Sequence, residues 1–436
     1  MQVRGALQSR RSCRRPAVSP PENGGPTFYF LPPSAALANA RRYRRGVKQL
    51  SARLDGLGVT IFADMAQLAT STGAINLGQG FPDQDGPDVI KDAARRAIAE
   101  GHNQYPPGLG IPALREAIAR HQHRFHGIDV DPEREVVVTT GATEAIAAAV
   151  LGLVDPGDDV LVLEPYYDSY RAVIQMAGAR HRAVTLRAPD FRLPVDDLRA
   201  AVTPRTTAIV LNTPHNPTGA VLTADELAAV AQVAVEHDLV VISDEVYEHL
   251  TFGVPHVPIA TLPGMAERTL TISSAGKTFS FTGWKVGWAT GPAHLVSALF
   301  GAKQFLSYTS GAPFQHAVAE ALDLPDSFYS SFTADLRRRR DLLCAGLRSA
   351  GFEVFVPDGT YFATTDVAAL GFTDGLEFCR SLPTLAGVVA IPHQVFFDDR
   401  PDGSNPGRTL VRWAFCKRDA VLTEAVERLR LISRLN

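Results

Sequence analysis

The chain has little cysteine: four residues in 436, at positions 13, 344, 379 and 416. No two stand in Cys-x-x-Cys spacing, so neither a thiolate zinc site nor a disulfide framework is indicated, and a reducing cytosol is the expected compartment. The chain also lacks any apolar run near the roughly 18 residues that a membrane-spanning helix needs. It lacks an excess of either charge: 43 basic against 46 acidic side chains give a formal net charge of −3. That balance argues against nucleic-acid or membrane-surface binding by the chain as a whole. It has no internal repeat. What it does have is length for about two to three domains, and 45% apolar residues, enough to bury a sizeable core.

Acidic residues are nearly missing from the first fifty positions. "RRSCRRPAVSPPENGGP" and "ARRYRRGVK" are rich in arginine and proline, and Glu22 is the only acid before Asp55. Such composition fits a transit peptide or a nucleic-acid-binding arm. A disordered basic leader over 1–50, or a stretch added by too early a start codon, fits better. Patterned sequence begins near Ser51, and Val47 is a candidate start.

From Val89 to about Gly291, β-branched runs alternate with helical patterns: "REVVVTT", "DDVLVLE", "TTAIVLN", "LVVISDE" and "RTLTISS" read as strands. Thr223 and Glu226 carry the capping-box spacing at the head of an amphipathic helix. Continuous apolar strands between helices predict an α/β fold with a mostly parallel sheet covered on both faces. After about Leu324 a long charged helix and short strands predict a smaller α+β domain. The expected division is a leader (1–50), a segment joining the small domain (51–88), a large domain (89–324) and a small C-terminal domain (325–436).

Each predicted strand ends in a polar cluster: Thr139 to Thr143, Glu164 to Tyr170, Asn212 to Gly219, Ser243 to Tyr247, Ser273 to Lys277. Ligands of open α/β sheets bind beyond the carboxyl ends of the strands, so five such clusters predict one active site. In the last of them, Gly276-Lys277-Thr278 imitates the tail of a phosphate-binding P-loop. The P-loop pattern needs a glycine at 271, where Thr271 stands. The remaining reading is a Schiff-base lysine, whose pKa must fall from its usual ~10.4.

"LNTPHNPTG", "SDEVY" and "SSAGKTFSFTGWKVGW", in that order and with the spacing of Asp244, Lys277 and Lys285, resemble the class I aminotransferases that use pyridoxal 5'-phosphate. The resemblance runs from about Leu57 to the C-terminus and implies the fold type I architecture. It implies that Lys277 holds the cofactor covalently and then moves a proton on the substrate. Asp244 would pair with the pyridine nitrogen, and Tyr247 and Asn216 with the ring hydroxyl, with Asn212 bracing them. Gly141, Ala142 and Thr143 open a helix whose N–H groups suit a phosphate. The resemblance adds Ser274 and Lys285 as phosphate ligands; many relatives place arginine at 285, so a point charge replaces a fork here. Tyr167 would stack on the cofactor. Arg412 in "LVRWAFCK" would bind the substrate carboxylate bidentately, with the Gly80 N–H beside it and Gln79 lining the pocket. Tyr105 in "NQYPPGLG" would reach the neighbouring subunit's phosphate, and Tyr308 would lie near that site, so a homodimer with shared sites is implied. The substrates implied are a small amino acid and a 2-oxo acid.

Three features stand apart from this constellation. "HQHRFH" at 121–126 reads as a solvated helix face on which only His123 and His126 align. The "RRRR" run at 337–340 reads as facing solvent. Tyr361 in "GTYF" fits a substrate contact and a packed strand equally.

Within the class, "NLGQGFPD" and "KTFSFTGWKVGW" resemble the branch of kynurenine, glutamine and methionine aminotransferases. "INLGQGFPDQDGP", "GATEAIAAAVLGLV", "GMAERTLTISSAGK" and "GAPFQHAVA" are more similar to the succinyldiaminopimelate aminotransferases of actinobacterial lysine biosynthesis. A cysteine-conjugate β-lyase would use the same cofactor contacts and stays an alternative. A domain set behind a DNA-binding winged helix is disfavoured by the short leader.

Overall fold

Four strands of the largest sheet are buried along their whole length: β2 (Val136–Thr139), β3 (Asp159–Glu164), β7 (Thr269–Ser274) and β8 (Gly287–Thr290). A strand with no exposed residue must be covered on both faces. These four join β4 (Arg180–Thr185), β5 (Thr206–Asn212) and β6 (Val240–Asp244) in a seven-stranded sheet of order β2-β8-β7-β6-β5-β3-β4. All neighbours pair in parallel except β8, which runs against both β2 and β7. The computed structural model describes residues 51–432, apart from 55 and 59. The expectations for the leader lie outside the described residues.

The two-residue period of a strand decides which layer each side chain enters. In β3, Val160 and Val162 join one core and Leu161 and Leu163 the other. The first core includes Ala145, Ile146, Ala148 and Ala149 of the Ala-rich helix Gly141–Leu153. Small residues let the helix Ala293–Lys303 approach closely; a Cβ on Gly152 would stand 2.3 Å from the Ala298 carbonyl oxygen. The second core takes Leu227, Val230 and Val233 from the helix Ala224–Glu236. That helix begins with the expected capping box between Thr223 and Glu226.

Two strands of the seven-stranded sheet escaped the sequence reading. β4 is an edge strand whose exposed positions carry arginine, so "RHRAVT" reads as polar. β8 has only four residues, the first two of them inside a motif read for its chemistry.

A four-stranded antiparallel sheet, β12-β13-β10-β9, is built from β9 (Glu353–Phe355), β10 (Phe362–Asp366), β12 (Ile391–Pro392) and β13 (Leu410–Ala414). β1 (Ile75–Asn76) pairs in parallel with β11 (Val388–Val389). Met65 and Leu77 therefore share a core with Leu336, Phe378 and Trp413. This brings the Gly78–Gly80 stretch beside β13 and its Arg412.

Two expectations fail. His121 is buried, and its Nε2 lies 2.8 Å from that of His249. His126 is also nearly enclosed and meets Glu248 at 2.7 Å, leaving only His123 exposed, against Asp129. The partners of the buried pair come from "SDEVYEH", more than a hundred residues away, and local spacing cannot reveal them. In the "RRRR" run, Arg337 and Arg338 are exposed, but Arg339 and Arg340 are buried. Arg339 bonds Asp335 and Gln84, and Arg340 bonds the Pro357 carbonyl over the Phe252 ring.

Candidate active site

The carboxyl ends of β2, β3, β5, β6 and β7 open on one cleft of about 460 Å³, and every one of the five polar clusters contributes to its lining. Gly141–Thr143, Tyr167, Asn212, Asn216, Asp244, Tyr247, Ser274, Lys277 and Lys285 all line it, as do Gly80, Gln79 and Arg412 from outside the central sheet.

One end of the cleft is rich in donors. Gly141 opens the helix Gly141–Leu153 with a φ of 74°, in the region where glycine avoids the Cβ penalty. A Cβ there would stand 3.2 Å from Lys285 Nζ. Across from it, a Cβ on Gly287 would lie 2.6 Å from the Gly141 carbonyl carbon. Two glycines thus let β8 and the helix start touch, and the Lys285 side chain, on a backbone at φ 53°, lies against Gly141 at the helix start. Ser274 ends β7 on the same cleft. Helix N–H groups, a hydroxyl and an ammonium form an anion cradle.

The middle of the cleft is organised by Asp244, the last residue of β6. The Tyr170 hydroxyl donates to Asp244 Oδ2 at 2.6 Å, and Asn212 Nδ2 donates to the Asp244 carbonyl oxygen at 2.8 Å. Asn212 Oδ1 in turn accepts the Asn216 backbone N–H at 2.8 Å. Burial raises the Asp244 carboxyl to about 6, against the Tyr170 bond and the Lys277 charge, which lower it.

Lys277 sits in a short helix, Ala275–Thr278, directly after β7. Burial lowers its amine to about 8, opposed by the charge of Asp244 and assisted by the positive charges of Arg412 and Lys285. Its Nζ donates to the Tyr361 hydroxyl at 3.0 Å, and that hydroxyl donates to the Gly80 carbonyl oxygen at 2.5 Å. Tyr361 is thereby both a packed residue and a neighbour of the lysine.

Arg412 lies at the far side. It is 1% exposed, stacked by the rings of Phe62, Phe362 and Phe396. Its two terminal nitrogens donate to Asn216 Oδ1 and the Gly78 carbonyl oxygen, and its Nε has no partner. No carboxylate pairs with it among the described residues, and burial lowers it to about 10. A buried guanidinium that faces a cleft with no carboxylate in pairing distance is the donor set for an incoming one.

Tyr105 and Tyr308 do not line this cleft. They are 86% and 47% exposed, and their rings meet edge-to-face at 5.9 Å on the surface. Tyr170 was missed by the sequence reading. The signal was present: Tyr167 and Tyr170 stand three apart at the start of the helix Asp168–Ala177, which puts both on one face. Among the described residues no helix is long and apolar enough to cross a membrane.

Residues 72–429 match the model of the family described as aminotransferase class I and II. The Mycobacterium tuberculosis protein named Probable N-succinyldiaminopimelate aminotransferase is 55% identical over 389 residues, which span 87% of this chain and 98% of that protein. The solved structure of the N-succinyldiaminopimelate aminotransferase from that organism matches with a TM-score of 0.85, covering 88% of this chain and 100% of that one. The methionine aminotransferase of Escherichia coli is 39% identical over 87% of this chain and 97% of its own length. Kynurenine–oxoglutarate transaminase 3 of Mus musculus is 39% identical over 87% and 89%.

Proposed function

The chain belongs to the class I and II aminotransferases, which use pyridoxal phosphate, and from that premise we propose that it moves an amino group between glutamate and N-succinyl-LL-diaminopimelate in ping-pong half-reactions. The observation that carries the substrate is the 55% identity to the Mycobacterium tuberculosis protein, spread over nearly the whole of both chains and well above the 39% to the methionine and kynurenine enzymes.

The cleft's donor set fits the cofactor: a phosphate cradle, a buried carboxylate, and a buried lysine that feels the charges of both Lys285 and Asp244. Ser274, Lys285 and the N–H groups of Gly141–Thr143 would hold the phosphate. Asp244 would hold the proton on the pyridine nitrogen, Tyr247 and Asn216 would face the ring hydroxyl, and Tyr167 would cover the ring. When bound, the cofactor supplies an aldehyde for covalent attachment and a protonated ring that withdraws electrons from the substrate's α-carbon.

The chain's own part is binding and proton movement. Arg412 would grip the α-carboxylate, assisted by the Gly80 N–H. With its amine lowered to about 8, Lys277 has a substantial neutral fraction at mildly alkaline pH. Its Nζ would then take the α-proton of the amino acid and return a proton on the cofactor side. Desolvation that lowers the lysine's pKa also keeps water from competing for that proton.

The homodimer with shared sites belongs to the same proposal. Tyr105, Phe305 and Tyr308 form an exposed aromatic surface, with Phe305 85% exposed. Fully buried Lys303 donates to the carbonyl oxygens of Gly108 and Tyr308, so the two loops that carry these rings are held together. A pre-shaped apolar surface of this kind suits a second copy of the chain. A monomer in solution with full activity would defeat it. Three free, buried thiols among the described residues support placement in the reducing cytosol.

The test of substrate is a comparison of kcat/KM across N-succinyl-LL-diaminopimelate, kynurenine, glutamine and methionine. The first should lead with 2-oxoglutarate as acceptor. A higher value for methionine or kynurenine overturns the assignment.

A further inference from the structure

The Tyr361 hydroxyl stands at a junction. It accepts an N–H of Lys277 at 3.0 Å and donates its own hydrogen to the Gly80 carbonyl oxygen at 2.5 Å. Its ring is 1% exposed and is fixed edge-to-face against Tyr247 at 5.2 Å and Phe362 at 4.9 Å. Gly80 is fixed from the other side, since a Cβ there would lie 2.4 Å from the Phe362 ring and 3.1 Å from the Tyr361 ring. Neither end of the chain of bonds has freedom to drift.

We propose that Tyr361 is a positioning residue for the transamination, holding the free Lys277 amine by one N–H so that its lone pair points into the cleft, and tying that orientation to the Gly80 segment that receives the substrate carboxylate. The proposal rests on the reading of Lys277 as the proton carrier.

The chemistry follows from donor counts. A neutral primary amine has two hydrogens and one lone pair. Because the Tyr361 hydrogen is committed to Gly80, the phenol oxygen acts toward Lys277 as an acceptor only. It therefore accepts a hydrogen bond from one N–H of the amine and leaves the lone pair unbonded. Without that acceptor the side chain of four methylenes would sample several rotamers once released from the cofactor. The same acceptor favours the ammonium over the amine, since the ammonium has an additional hydrogen to give. The link to Gly80 adds selectivity: a substrate whose carboxylate docks correctly leaves the Gly80 carbonyl, and hence the lysine, in register. No proton needs to pass through the phenol, whose own ionisation is strongly disfavoured by burial.

The test uses Tyr361→Phe in the full chain, which preserves the ring packing and deletes one oxygen. Three readouts are taken on wild type, Tyr361→Phe and Lys277→Ala. The first is kcat and KM. The second is the pH dependence of the rate at which apoprotein captures pyridoxal phosphate, which reports the lysine amine. The third is the melting temperature. Tyr361→Phe should lose about 10- to 100-fold in kcat, as expected for a misplaced reacting group. KM for the amino acid should change much less. Capture should reach half its maximum at a pH lower than wild type by about half a unit or more, because the ammonium has lost an acceptor. A Tyr361→Phe protein with only a lower melting temperature, and with kcat and the capture profile unchanged, overturns the proposal. If Tyr361→Phe fails to fold, incorporation of 3-fluorotyrosine at 361 keeps every contact and weakens the oxygen as acceptor. The capture profile should then move the same way, by less, and an unmoved profile overturns the proposal. Full transamination by Lys277→Ala would instead defeat the underlying reading of the lysine, so the two failures are distinguishable.

Discussion

The Tyr170 hydroxyl donates to Asp244 Oδ2 at 2.6 Å, and both residues are buried in the cleft wall. Burial pushes the carboxyl up to about 6, and the tyrosine is the largest influence pulling it down. Asp244 is then ionised above about pH 6, the form that the proposed pairing with a protonated pyridine nitrogen needs. Tyr170→Phe removes that stabilisation, so the carboxyl pKa should rise further. The acid limb of the kcat/KM profile should move to higher pH, with activity largely restored on the alkaline side. An acid limb that stays in place would show that Asp244 does not govern it.

Arg412 holds two protein acceptors and keeps a bare Nε. Arg412→Lys keeps a charge but loses the planar fork. KM for both the amino acid and the 2-oxo acid should rise, on the order of 10²-fold, from the loss of charge-assisted paired hydrogen bonds. Cofactor affinity should change little. Steady-state kinetics with each substrate varied in turn checks this; an unchanged KM for either rules out a shared carboxylate site.

Gly287 and Gly141 touch through their backbones. Gly287→Ala forces a methyl group into the Gly141–Ala142 peptide, which must move and take the helix N–H groups with it. The dissociation constant for pyridoxal phosphate should rise by about tenfold or more, the loss of roughly one charge-assisted hydrogen bond. Fluorescence titration of the apoprotein measures it, and wild-type affinity would place the phosphate elsewhere.

The buried histidines His121, His126 and His249 should shape the pH dependence of stability. Burial lowers His121 to about 4 and His249 to about 3, from an ordinary 6.5, opposed in both by the charge of Glu248. A depressed folded-state pKa contributes stability that is present above pH 6.5 and lost as pH falls toward the folded values. His126 behaves oppositely: burial works against its charge, but the bond to Glu248 overrides it and its pKa is raised. Its contribution is present below 6.5 and lost as pH rises through the folded value. His121→Phe should flatten the fall of melting temperature between pH 6.5 and 4, measured by calorimetry. An unchanged slope would place the acid sensitivity in other groups.

Much of the site was legible because its residues sit at the ends of apolar strands, where a hydroxyl, amide or carboxylate breaks the pattern. Asn212, Asp244 and Ser274 close β5, β6 and β7, and the cleft collects them. The edge strand β4 was not legible, because two of its six residues, Arg180 and Arg182, face water and carry charge. The burial of His121 and Arg340 was not legible either. Each is made tolerable by a partner far away in sequence, His249 for one and the Pro357 carbonyl for the other. Helical spacing reports neighbours three and four residues away and is silent about contacts made by tertiary packing. The Tyr361 junction is of the same kind, joining residues 80, 277 and 361 through a single oxygen.

The central claim is that Lys277, and not its neighbour Lys285, carries the cofactor covalently. Reduction of the cofactor-loaded protein with borohydride, followed by proteolysis and mass spectrometry, tests this without reliance on turnover. The pyridoxyl group should be found on the peptide containing Lys277 and be absent from Lys285. A label on Lys285, or on no lysine of the cleft, would contradict the account.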